Sequence, residues 1–193
     1  MTKQTVIVVD AFTAVPFRGN PAAVCLMDYF PDTATLQSIA TEMHLSETAF
    51  LVRRGGHSYA LRWFTPTSEV ELCGHATLGA AHVLKEYGPA KTGDSITFHT
   101  QSGELLAHVG ESLIELDFPL LPGNYCPVEE VKGCLSVPIR TAEHNGTNIL
   151  VEVENMDDLR NCGPHMEAIA ALDAQGLVVT TAFDRKAAKL TLT

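Results

Sequence analysis

The stretch Glu69–Val70–Glu71–Leu72–Cys73–Gly74–His75–Ala76–Thr77 changes character half-way along, and that change decides the fold. Glu69–Leu72 reads as a short strand that runs directly into Cys73–Gly74–His75. From Ala76 onward Leu78, Ala81, Val83, Leu84 and Tyr87 supply the apolar surface of a helix. Gly88–Pro89 ends it, because Gly tolerates the exit conformation and Pro cannot continue the hydrogen-bond ladder. A strand that turns into a helix at a glycine directs backbone N–H groups beyond the turn, a setting that favours a carboxylate or an enolate-like charge. His75 can bind a substrate or move a proton. Cys73 can exchange a proton or pack into the core. The plainer alternative for the whole segment is a structural strand-to-helix junction.

Upstream, Thr5–Val9 is a β-branched run continued by Asp10–Ala11–Phe12 and resembles a first strand more than a secretory signal. The loop 16–21 breaks it, with Phe17 as its expected apolar anchor, and Ala22–Met27 gives a second strand. Asp32 or Thr33 can cap a helix to about Met43 whose inner face is Leu36, Ile39, Ala40 and Met43. Leu45–Phe50 leads into a strand ending near Arg53, and Tyr59, Leu61 and Trp63 alternating with Ala60, Arg62 and Phe64 support another that is not strictly half-wet. Downstream, Ser95–Thr100, Leu105–Val109 and Leu113–Phe118 are short strands separated by Gly-containing turns, a spacing that predicts antiparallel pairing. The loop around Pro119–Gly123 is the best boundary. Beyond it come a short helix over Val128–Leu135, a strand over Ile149–Val153, a helix over His165–Leu172 and a strand over Leu177–Thr181.

The chain has 193 residues, enough for one domain or for one complete small domain with part of a second. Its 13 Lys and Arg against 23 Asp and Glu give a formal charge of −10, which disfavours a general nucleic-acid surface. No apolar run of roughly 18 residues indicates a membrane span. Five cysteines, Cys25, Cys73, Cys126, Cys134 and Cys162, form no CxxC pair and read as reduced thiols of a cytoplasmic protein.

Glu47 supplies a carboxylate at a strand entrance, partly shielded by Ala49 and Phe50, a setting suited to acid–base work. Its plainer reading is a solvent-facing residue or a local hydrogen-bond partner. Asn20, Thr65, Thr67 and Ser68 offer polar contacts or ordinary turn chemistry, and Asp10 and Arg18 can orient a ligand or brace a loop. The histidines do not reproduce a zinc spacing, so no metal is expected. No Walker-type loop or Rossmann glycine signature supports ATP or NAD.

Taken together, Asp10–Thr13, Phe17–Val24, Leu45–Phe50, Leu61–Pro66 and Leu72–Thr77 resemble the PhzF-like family of phenazine biosynthesis, covering most of residues 6–87. The resemblance implies an α+β, diaminopimelate-epimerase-like fold, in which a curved antiparallel sheet wraps around a central helix. Residues 1–120 would form the N-terminal lobe, with Ala76–Tyr87 as its central helix, and residues 121–193 a partial or shortened second lobe. It implies a cofactor-independent isomerase that acts by general acid–base proton transfer on a small, carboxylate-bearing substrate, usually as a homodimer. Glu47 and His75 would be catalytic, with Asn20, Ser46, Cys73, Gly74, Ala76 and Thr77 around the substrate. Site residues that the family carries in its second lobe do not match here, and Asp184 does not replace them. The chain is therefore expected to be a fragment, half of a complex with a complementary chain, or a natural short form. The last of these would be an inactive binding or assembly protein.

Overall fold

The computed structural model describes residues 4–118 and 120–182; Asp184 lies outside the described residues. The chain divides into two compact units, one ending at Phe118 and one following it.

The first unit contains β1 (Ile7–Ala11), β2 (Asn20–Met27), α1 (Thr33–Met43), β3 (Glu47–Gly55), β4 (Ser58–Phe64), β5 (Glu69–Val70), α2 (Gly74–Glu86), β6 (Ser95–Thr100), β7 (Gly103–Val109) and β8 (Ile114–Asp117). The strands form one eight-stranded sheet in the order β1-β2-β3-β4-β6-β7-β8, with β5 paired to β4. Most neighbours are antiparallel, but β2 runs parallel to β3 and β4 parallel to β6. Parallel neighbours need a crossover rather than a tight hairpin. α1 provides the first and the β5–α2 segment the second, which is why the Cys73–Gly74 turn exists at all.

α2 packs against β1, β2 and β3 from one half of the sheet and β7 and β8 from the other. The sheet therefore curves round the helix, as expected for the α+β fold. Ala76, Gly79, Ala80, Ala81, Val83 and Leu84 are all buried, while His82 and Glu86 are exposed, so a broad apolar face seats the helix against the curved sheet. Ala49, Leu51, Tyr59, Leu61 and Trp63 point into this α2-centred core. Their alternating neighbours Phe50 and Phe64, with Cys25 of β2, pack on the opposite face against Leu36 and Ala40 of α1. Two covered faces explain why β3 and β4 read as nearly continuous apolar runs. Phe50 and Phe64 meet edge to face with ring centroids 5.6 Å apart. Asp32 caps α1, its Oδ1 accepting the Thr35 N–H at 2.9 Å.

The second unit contains β9 (Asn124–Cys126), a 3-10 turn (Val128–Val131), β10 (Ile139–His144), β11 (Asn148–Val153), α3 (Met156–Arg160), α4 (Met166–Ala170) and β12 (Gly176–Thr181). Its sheet has four strands in the order β12-β11-β10-β9, so it is smaller than the first. Cys126, Val131, Cys134, Ala142, Val151 and Val153 are among its buried residues. The helix expected over Val128–Leu135 shortens to the 3-10 turn, and Gly133, in the left-handed region at φ 87°, belongs to the turn that follows. The helix expected over His165–Leu172 contracts to α4.

All five cysteines are free. Among the described residues, no helix is long and apolar enough to cross a membrane.

Candidate functional site

Three elements of the first unit bring Glu47, Cys73 and His75 together. Glu47 is the first residue of β3 and lies opposite Ala22 of β2. The neighbouring Thr48, Ala49 and Phe50 are buried, so β3 holds its first carboxylate against the core while the preceding Ser46 remains exposed. β5, anchored to β4 by the pairs Trp63–Val70 and Phe64–Glu69, delivers the chain to Cys73. The anchor is reinforced by Arg62, whose guanidinium donates to both Glu69 oxygens at 2.7 Å and also to Thr33 Oγ1 at 3.0 Å.

Cys73 is the N-cap residue of α2, in extended conformation, and its side chain makes no capping hydrogen bond to the helix. Thr77 secures this first turn instead: its hydroxyl donates to the Cys73 carbonyl at 2.6 Å. Ala76 and Thr77 are wholly buried beneath the turn. Gly74 faces the Phe118 ring, which would stand 3.6 Å from an added Cβ. The His75 imidazole lies between the thiol and the carboxylate. Its Nδ1 is 3.5 Å from Cys73 Sγ and its Nε2 is 3.2 Å from Glu47 Oε2. The His75 and Glu47 side chains are only 10% and 20% exposed. Despite the short separation, the His75 and Glu47 atoms are not aligned for a hydrogen bond, and both are buried without a hydrogen-bond partner among the described residues. The distance establishes electrostatic contact; the angles leave the donor and acceptor capacity of both atoms unspent.

Burial pushes the Cys73 thiol up to about 12, with the Glu47 charge adding to the effect and the Ala76 and His75 backbone N–H groups opposing it. Burial also holds His75 below its ordinary value, against the pull of Glu47 in the other direction. Both shifts favour a neutral thiol beside a neutral imidazole. The three side chains place ligating atoms within 4.8 Å of one another. Because the ring turns one nitrogen to the sulfur and the other to the carboxylate, a single ion would need a reoriented His75 to take all three.

Asn20 opens β2 two residues before Ala22, at the same end of the sheet as Glu47. Phe17 departs from its expected anchoring role. It is 96% exposed, with φ 65°, and the loop is held instead by Asp10, whose Oδ2 accepts the Phe17 N–H at 2.9 Å. Thr65, Thr67 and Ser68 take the turn alternative: Thr65 Oγ1 accepts the Ser68 N–H at 3.0 Å and the Thr67 N–H at 3.2 Å. Two supporting features escape the sequence reading, the Thr77 hydroxyl bond to the Cys73 carbonyl and the Arg62–Glu69 clamp. A threonine four residues after the turn is the signal for the first; opposite charges on paired strands are the signal for the second.

The sequence pattern of the phenazine biosynthesis-like proteins, PhzC-PhzF, matches residues 9–192. The chain belongs to this family. Within the PhzC-PhzF family it is 41% identical over 184 residues to an uncharacterized isomerase of Halalkalibacterium halodurans, covering 94% of this chain and 69% of that protein. It is 46% identical over 145 residues to a human phenazine biosynthesis-like domain-containing protein, covering 71% of this chain and 50% of that one. The crystal structure of a PhzF-family protein from Enterococcus faecalis superposes with a TM-score of 0.84 at 38% identity, covering 94% of this chain and 70% of that chain. The chain thus spans about two thirds of the bacterial relatives and half of the human one. These matches identify the fold as the PhzF-like, diaminopimelate-epimerase-like one.

Proposed function

We propose that this chain carries the Glu47 half of a cofactor-independent isomerase, which moves a proton on a small carboxylate-bearing substrate. The observation that carries the reading is the pair Glu47 Oε2 and His75 Nε2, 3.2 Å apart, buried, and each without a hydrogen bond among the described residues. Buried polar atoms are ordinarily satisfied, and leaving one unpaired costs about 1–3 kcal/mol. A ligand that supplies the missing partners recovers that cost on binding.

Glu47 is the acid–base group: its carboxylate takes a proton from a substrate carbon and returns it to another. His75 binds and orients the substrate. Gly74 offers close backbone approach at the start of α2, where the helix N-terminus favours the substrate's negative charge. Cys73, Ala76 and Thr77 in that turn, with Asn20 and Ser46 at the Glu47 end of the sheet, complete the substrate-binding set. Membership of a family whose members include proteins named isomerases supports the reaction class. The free thiols support a reducing, cytoplasmic compartment. A homodimer, or a complementary chain, is the assembly proposed from the family resemblance.

The test is solvent deuterium exchange into small cyclic and amino-acid-like carboxylates, followed by NMR, with wild-type and Glu47→Gln proteins. Wild type is expected to exchange a carbon-bound hydrogen in at least one compound, and Glu47→Gln to lose the rate by 100-fold or so. Equal exchange in both proteins would remove Glu47 from the chemistry. Binding without exchange would favour the second reading, a non-catalytic binding or assembly protein.

A further inference from the structure

The proton inventory of the Glu47–His75–Cys73 cluster is constrained from the thiol end. Cys73 Sγ and His75 Nδ1 are 3.5 Å apart, within reach of a sulfur hydrogen bond. Such a contact holds one proton, donated either by S–H to the ring lone pair or by N–H to sulfur. Cys73 is 7% exposed, and Ala76 and Thr77 beneath it are fully buried. The thiol keeps its proton across the neutral range, because burial and the neighbouring carboxylate both disfavour a thiolate. A protonated thiol is a weak acceptor, whereas an imidazole nitrogen lone pair is a good one. The favoured arrangement is therefore S–H to Nδ1. A neutral imidazole has a single N–H, which this arrangement leaves on Nε2, the atom that faces Glu47.

We infer that Cys73 is a positioning residue whose thiol donates to His75 Nδ1 and holds the ring as the Nε2–H tautomer. The consequence is a division of labour. The site then presents one donor, His75 Nε2–H, beside one acceptor, the Glu47 carboxylate. The opposite tautomer would present two acceptors side by side and would repel an anionic substrate oxygen. This functional consequence rests on the proton-transfer reading of the site. The tautomer itself does not, and it is measurable whether or not the protein turns over any compound.

The experiment is long-range ¹H–¹⁵N correlation NMR of the His75 ring at neutral pH, in protein whose fold is checked by its amide spectrum. Glu47→Gln serves as the background, so that the carboxylate charge does not itself select the tautomer. In Glu47→Gln, His75 is expected to carry its proton on Nε2, with Nδ1 unprotonated. Adding Cys73→Ala should shift the ring towards a mixture of the two tautomers, and Cys73→Ser, which keeps a donor, should restore Nε2–H. A proton on Nδ1 in Glu47→Gln would overturn the assignment, as would a doubly protonated ring. A distribution unchanged by Cys73→Ala would overturn it equally. If Cys73→Ala alters the amide spectrum broadly, the Cys73→Ser result decides: loss of the Nε2–H tautomer there contradicts a role as donor. Should deuterium exchange fail in every compound while the tautomer behaves as stated, the proton-transfer reading falls and the positioning role stands.

Discussion

Gly74 has room for a side chain as far as the protein itself is concerned. An added Cβ would meet Phe118 Cε2 at 3.6 Å and Cζ at 3.9 Å, which is ordinary contact, and the residue does not adopt a positive φ. Neither packing nor backbone geometry therefore requires glycine there; a ligand drawn close to the turn would. Gly74→Ala is expected to leave stability unchanged or raise it by up to about 1 kcal/mol. The same variant should weaken binding of a small carboxylate about tenfold or more, roughly 1.4 kcal/mol. Thermal denaturation and titration calorimetry measure the two separately, and a destabilised protein would show that the glycine serves the fold. At this scale the sequence is informative about identity and silent about orientation. Glu47 and Cys73–Gly74–His75 are legible as candidates from their residue types and their places at element ends. That the thiol turns to Nδ1 and the carboxylate to Nε2 depends on side-chain rotamers, which residue spacing does not specify.

α2 is the element on which the first unit closes, and it carries a glycine in its interior. Gly79 faces Val9, Val24 and Ala22, and a Cβ there would lie 3.6, 3.7 and 3.9 Å from their side chains. A methyl group thus fits without moving the strands. Glycine within a helix costs roughly 0.5–1 kcal/mol relative to alanine, so Gly79→Ala should stabilise the protein by about that amount in urea unfolding. A loss of stability would mean that the helix has less clearance than these contacts indicate. Elements with strong local signals are readable here: β1 from its β-branched run, α1 from the Asp32 cap, α2 from the Gly88–Pro89 stop. Those that escape are short or polar. β9 has three residues, and α3 consists of Met156–Arg160 capped by Asn155, whose side chain accepts from the Asp157 and Asp158 N–H groups. β10 has a usable signal, since Asn145–Gly146 before Asn148–Val153 is a strong hairpin marker; its alternation Ile139–His144 is too polar to stand out alone. Phe17 shows the opposite error. An apolar residue in a polar loop suggests an anchor, yet a carboxylate taking the backbone N–H holds that loop.

At the scale of the molecule, buried titratable groups define a pH window for the fold. His75 is held below its ordinary 6.5 by burial. The unfolded chain therefore binds a proton that the fold refuses, so the stability present above about pH 6.5 is lost as the pH falls towards the folded value. Cys25 and Cys73 are pushed the other way, from 9.0 to about 12, by burial. Their contribution is full below pH 9 and is lost as the pH rises towards 12, because the unfolded thiols ionise first. Urea midpoints measured against pH should fall on both sides of this window. His75→Gln should flatten the acid limb and Cys25→Val the alkaline one; limbs that keep their slopes would assign the losses to other groups.

The sole tryptophan, Trp63, sits 1% exposed in the α2-centred core of the first unit. Intrinsic fluorescence excited at the indole thus reports on that core and is blind to the second unit, whose buried cluster contains no tryptophan. Far-ultraviolet circular dichroism sums the backbone of both. Comparing the two signals during denaturation separates the melting of one unit from that of the other without a label, a truncation or a mutation.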